Sequence, residues 1–123
     1  MARLSAFVEP GGWLLWGDPF WKRPPSQALA QAFGAETYET LSGWAAAGEA
    51  AGLAVRHVAV SEEADWETFF WTMNASMEDW AAEQGETVEA GEMRARAAML
   101  RKLYLEDQRE GMGFGLYLFR KPT

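Results

Sequence analysis

Asp18 stands in the stretch Gly17-Asp18-Pro19-Phe20-Trp21, between an apolar run and a proline-rich segment. A carboxylate there can accept a hydrogen bond from a substrate hydroxyl or amine, or take its proton and free a lone pair for attack. Asp also caps turns ahead of proline, a role without chemistry. Phe20 and Trp21 offer two aromatic faces that can exclude water and hold a cationic group. They can equally pack under a loop, because aromatic rings bury much area. Asp18 is the best candidate for a catalytic group, and Asp18, Phe20 and Trp21 are candidate substrate contacts. Lys22 and Arg23 read as a solvated basic pair or as a grip on an acidic substrate.

Other groups point to no chemistry. His57 is the one histidine, flanked by Arg56, with no second ligand at useful spacing, so no metal site is expected. The chain has no Cys, hence no disulfide framework and no thiolate site. Gly111-Met112-Gly113-Phe114-Gly115 has the spacing of a nucleotide-type glycine loop. Such a loop needs a strand before it and a helix N-terminus after it, since the helix end supplies amides and positive potential. Here a helical pattern precedes and an apolar strand pattern follows. The cluster therefore reads as a helix end running into a strand.

These residues must be positioned by a small set of elements. Arg3 to Glu9 read as the end of a helix, stopped by Pro10-Gly11-Gly12. Trp13 to Trp16 is a continuous apolar run, expected as a strand over 13–17 buried on both faces and ended by Gly17 and Asp18. Pro19 to Ala35 is a loop with a short helix over Gln27–Phe33. Tyr38, Leu41, Trp44, Ala45 and Gly48 recur at helical spacing as far as Gly52, and Leu53 to Val60 forms a second strand. Strand, helix and strand with short joints imply a parallel pair with a right-handed crossover.

Ser61 is the expected N-cap of the next helix, with Glu62, Glu63 and Asp65 at its positive end. Trp66, Phe69, Phe70, Met73, Met77 and Trp80 share one face and read as core. Trp71 points about 100° beyond Phe70, where it can line a pocket, meet a partner or cover its own helix. A polar break at Gln84–Thr87 leads into a helix with Met93, Ala97, Leu100 and Tyr104 inward and Arg94, Arg101 and Lys102 outward, ending near Glu110. Residues 114–120 form the third strand.

Taken together, "PGGWLLWGDPFW", the helix ending in "AAGLAV", an inserted helical pair and "GFGLYLFR" resemble the second half of class I S-adenosylmethionine-dependent methyltransferases. The resemblance covers nearly the whole chain. It implies an α/β fold: part of a Rossmann-like methyltransferase sheet, with two parallel strands, an antiparallel C-terminal strand slotted between them, and a helical insertion before that last strand. It implies that the family's acidic-Gly-x-Gly-x-Gly turn and the other cofactor contacts lie on strands that precede Trp13. The expectation is a truncated chain that binds no S-adenosylmethionine alone, although the complete family uses it. The unpaired edge of strand 13–17 is then expected to be covered by homodimerisation or by an N-terminal partner. Ligands in open α/β sheets bind beyond the carboxyl ends of the strands. The 61–112 segment leaves and rejoins the sheet there, as a lid or pocket wall, which adds Phe70 and Trp71 to the substrate-contact candidates.

Composition narrows the classes. A chain of 123 residues suits one domain, and 49% hydrophobic residues with seven Trp and seven Phe exclude a disordered tail. A net charge of −7 argues against a nucleic-acid partner. No apolar run is long enough for a membrane span or a signal peptide, so the expected location is the cytoplasm. The expected function is the substrate side of a small-molecule methyltransferase. The alternative is a non-catalytic ligand-binding or interaction module of the same fold.

Overall fold

The computed structural model describes residues Met1–Thr123. The elements are α1 (Ala2–Ser5), β1 (Trp13–Trp21), α2 (Gln27–Phe33), α3 (Leu41–Ala50), β2 (Ala54–Val60), α4 (Glu63–Glu83), α5 (Val88–Leu103), a π-helical turn (Tyr104–Gln108), α6 (Arg109–Gly111) and β3 (Met112–Arg120). They divide into two compact units, Met1–Ser61 with Glu110–Thr123, and Glu62–Arg109.

The first unit is built on a three-stranded sheet of order β1-β3-β2. Both pairings are antiparallel, from Trp13↔Arg120 to Trp21↔Met112 on one side and from Ala54↔Arg120 to Val60↔Gly115 on the other. The expected parallel pair is therefore not formed. β1 and β2 point the same way, but β3 lies between them and takes the hydrogen bonds of both. The interior strand is the "GFGLYLF" segment, where Tyr117 and Phe119 are fully buried. β1 is a border strand, not one buried on both faces: Trp13 and Leu15 are 52% and 68% exposed, whereas Leu14 and Trp16 pack on the core.

β1 also runs on through Asp18 and Pro19 to Trp21 instead of stopping at Gly17. The backbone explains why proline is tolerated. The Lys22 N–H donates to the Gly111 carbonyl, so alternation turns the nitrogen of Pro19 away from β3, where a missing donor costs no ladder bond.

Thr40 starts α3 by accepting a hydrogen bond from the Gly43 N–H, which leaves Tyr38 ahead of the helix that was expected to include it. α3 covers the face of Tyr117 and Phe119, with Leu14, Trp16, Trp44 and Leu53 completing the core. Gly48 allows this approach, since a Cβ there would lie 2.2 Å from the Phe119 ring. At the helix end Gly52 takes φ of 84° and the Leu53 N–H donates to the Gly48 carbonyl, as the "AAGLAV" junction requires.

In the second unit α4 packs along α5. Ser61 does not cap α4; the N-cap is Glu62, whose side chain makes no capping bond, and the Ser61 N–H donates to the Phe114 carbonyl instead. Of the expected apolar stripe only Phe70 is buried, while Phe69, Met73 and Trp80 are exposed. The buried line of α4 is Phe70, Asn74 and Ala81, a narrow strip that admits a polar residue because that residue is fully paired. Asn74 donates to the Ala97 carbonyl and accepts from Arg101, which therefore faces inward, not outward. The helix expected to reach Glu110 is interrupted by the π turn.

Candidate functional site

Asp18 lies mid-strand, opposite Gly115 of β3. Pairing and alternation put it on the same sheet face as Trp16, Phe20 and Tyr117. The residue is half-buried, and burial raises its carboxyl above the usual aspartate value. Two phenols feel its charge. Tyr38 and Tyr117 are both raised, first by burial and then by Asp18. The Tyr117 hydroxyl is held in place by donating to the Leu41 carbonyl at 3.0 Å, in the first turn of α3. A carboxyl with a raised pKa among phenols has the character of a proton acceptor. Neither tyrosine was singled out from sequence, because strand pairing and a loop bring them to Asp18 from distant parts of the chain.

Phe20 and Trp21 are each 5% exposed. The Phe20 ring occupies the space above Gly113, where a Cβ would lie 2.7 Å from it. Trp21 donates its indole N–H to the Ala35 carbonyl and meets Tyr38 edge-on at 5.8 Å. An open aromatic mouth therefore gives way to a filled one. Gly115 likewise makes room for the Tyr117 ring, with 3.0 Å between that ring and a Cβ built there. The glycine cluster is thus a packing device inside β3 that admits the Phe20 and Tyr117 rings. No group of three or more His, Cys, Asp or Glu is placed to hold a metal, and His57 is exposed on β2.

The other two candidates belong to the second unit. Phe70 is buried and stacks on Tyr104 with 4.1 Å between ring centroids, and Trp71 meets both rings edge-on. Trp71 is 37% exposed and lines a groove of about 600 Å³ on α4 with Ala64, Glu67, Thr68, Thr72 and Ala75. Burial and then the Glu67 charge push the Tyr104 phenol up to about 12. Arg109, at the end of the π turn, pairs with Glu63 at 3.0 Å and with Glu67. Its hydrogen bond holds the Glu67 carboxyl below the usual glutamate value.

Comparison with known proteins adds the decisive observation. No family model matches the chain. The uncharacterized protein YjhP of Escherichia coli K12 is 27% identical over 118 residues, which are 93% of this chain and 48% of that protein. The X-ray structure of YjhP matches with a TM-score of 0.78 at 26% identity, over 94% of this chain and 52% of the other. A methyltransferase from Thiobacillus denitrificans, described as dependent on S-adenosylmethionine and solved with S-adenosyl-L-homocysteine, matches with a TM-score of 0.79 at 22% identity, over 97% and 51%. The chain has the fold of one half of an S-adenosylmethionine-dependent methyltransferase. A third structure, the corresponding complex from Geobacter sulfurreducens, agrees, with a TM-score of 0.77 at 22% identity over 94% and 47%. The chain spans about half the length of these relatives. The order β1-β3-β2 is the one that resemblance implied for its three strands.

Proposed function

We propose that residues 1–123 are the substrate-side portion of a Rossmann-like small-molecule methyltransferase, whose cofactor is held by residues outside this segment. The observation that carries the reading is the sheet order with its antiparallel last strand, together with the match to methyltransferases solved with S-adenosyl-L-homocysteine. On the sheet, Asp18 takes the role of proton acceptor for a substrate hydroxyl or amine, with Phe20 and Trp21 holding its strand rigid. In the insertion, Phe70 supports Trp71, and the Trp71 groove is the surface offered to substrate. Calorimetric titration tests the placement of the cofactor site. The segment alone is expected to give no heat with S-adenosyl-L-homocysteine; tight one-to-one binding would overturn this.

A second reading is favoured by one feature, the filling of the Asp18 region by Phe20 and Trp21. On that reading the unit is a non-catalytic binding module. A completed protein that binds cofactor and whose Asp18→Asn variant keeps full turnover would remove Asp18 from the chemistry.

A further inference from the structure

We infer that the Trp71 groove on α4 is a binding site for a protonated aliphatic amine. The Trp71 ring covers the carbon chain, and Glu67 with the Thr68 hydroxyl takes the N–H groups. The inference rests on the reading of this groove as a substrate surface, and it names the substrate class.

Charge sets the sign of the ligand. No basic side chain lines the groove. Glu63 and Glu67 stand one turn apart on α4 and share a single guanidinium, that of Arg109. Two carboxylates against one cation leave a negative charge over, and Asp65 adds another in the same first turn. The Arg109 bond holds the Glu67 carboxyl below its usual value, so Glu67 is ionised at neutral pH. Such a surface draws in a cation and repels an anion.

The hydrogen-bonding groups match that sign. The Thr68 hydroxyl donates to the Ala64 carbonyl at 2.9 Å, which spends its proton and leaves its oxygen as an acceptor. Behind Glu67 lies a deeper deficit. The Tyr104 phenol is fully buried and turned toward the Glu67 carboxylate, yet completes no ordinary hydrogen bond. Four residues on, in the same π turn, the Gln108 amide oxygen is also buried without a donor. Buried polar atoms left unpaired call for an explanation, and π turns are frequent at functional sites. Tyr104 also buttresses the aromatic wall, because it and Phe70 both meet Trp71 edge-on. Trp71 is thus held in place while its exposed part offers a surface to a cationic chain.

These features decide between occupants. A carboxylate or phosphate would meet the surplus negative charge. A neutral apolar molecule would cover Trp71 but strip water from Glu67 without returning a bond. An alkylammonium covers the ring and pairs the carboxylate. The groove, about 600 Å³, has the size of a small-molecule site.

Proton–nitrogen NMR of the indole N–H groups tests this on the chain as it stands, with the Trp71 signal assigned by its loss in Trp71→Phe. n-Butylammonium is expected to shift that signal with a dissociation constant of about 1 mM, and to bind about tenfold tighter than n-butanol or butyrate. Glu67→Gln is expected to weaken butylammonium about tenfold. Arg109→Gln is expected to tighten it, because the competing cation is gone, whereas a purely structural clamp predicts weakening. The comparison of the three probes uses the parent chain, so it holds even where a variant fails to fold. Equal binding of butylammonium and butanol overturns the amine and keeps the groove as a substrate surface. A Trp71 signal that none of the three probes shifts overturns both. A folded Glu67→Gln variant with undiminished affinity also overturns the inference.

Discussion

Asp18 shows how a side chain acquires its character from its surroundings. Its folded pKa lies above the ordinary 3.8 because burial disfavours the charge. For a carboxyl raised in the fold, the favourable contribution is complete below the unfolded value and is lost as pH rises through the folded value. Asp18→Asn is therefore expected to melt at a higher temperature than the parent at neutral pH, with the gap closing near about pH 3. A lower melting temperature at neutral pH would show that the carboxylate makes a bond worth more than its burial costs. Gly48 is the opposite kind of residue, defined by what it leaves out. Because an added Cβ would lie 2.2 Å from Phe119, Gly48→Ala must displace a buried ring or shift α3. The expected loss is about 1–3 kcal/mol by chemical denaturation.

At the level of elements, the α4–α5 pair is set in register by a polar clasp. Asn74 is 2% exposed, bonding the Ala97 carbonyl at 3.0 Å and Arg101 at 2.9 Å, and Arg101 reaches on to Glu78 at 2.7 Å. Asn74→Ala leaves the Ala97 carbonyl and the guanidinium short of partners and is expected to cost about 2 kcal/mol. A double-mutant cycle with Arg101→Met should return a positive coupling; strict additivity would show the two groups to be independent. The clasp was invisible in a search for apolar spacing, because Asn74 lies one turn from Phe70 but carries no hydrophobic signal. The glycine cluster teaches the converse. Its spacing imitates a cofactor loop, yet Gly113 and Gly115 exist to admit the Phe20 and Tyr117 rings.

Across the whole molecule, the three tyrosines share one behaviour. Tyr38, Tyr104 and Tyr117 all have raised phenol pKa values, each with burial as the largest cause. The neutral phenols favour the fold, so stability is complete below the ordinary value of 10 and falls as pH climbs through the folded values. Phenolate absorbance should therefore rise at a higher pH in the folded protein than in the denatured chain. A normal titration of even one tyrosine in the folded protein would contradict its burial.

Local signals carried the elements. The apolar runs, the Gly52 junction, the short helix over Gln27–Phe33 and the two long helices of the insertion were readable because propensity, capping and periodicity act over a few residues. The motif order and its family resemblance pointed to the arrangement of the strands. How far β1 continues past Gly17, which of its faces stays open, and which phenols lie near Asp18 were decided only by tertiary structure. Each depends on partners far away in the chain, and the free energy of pairing a strand or burying a ring is set by those partners and not by the neighbouring sequence.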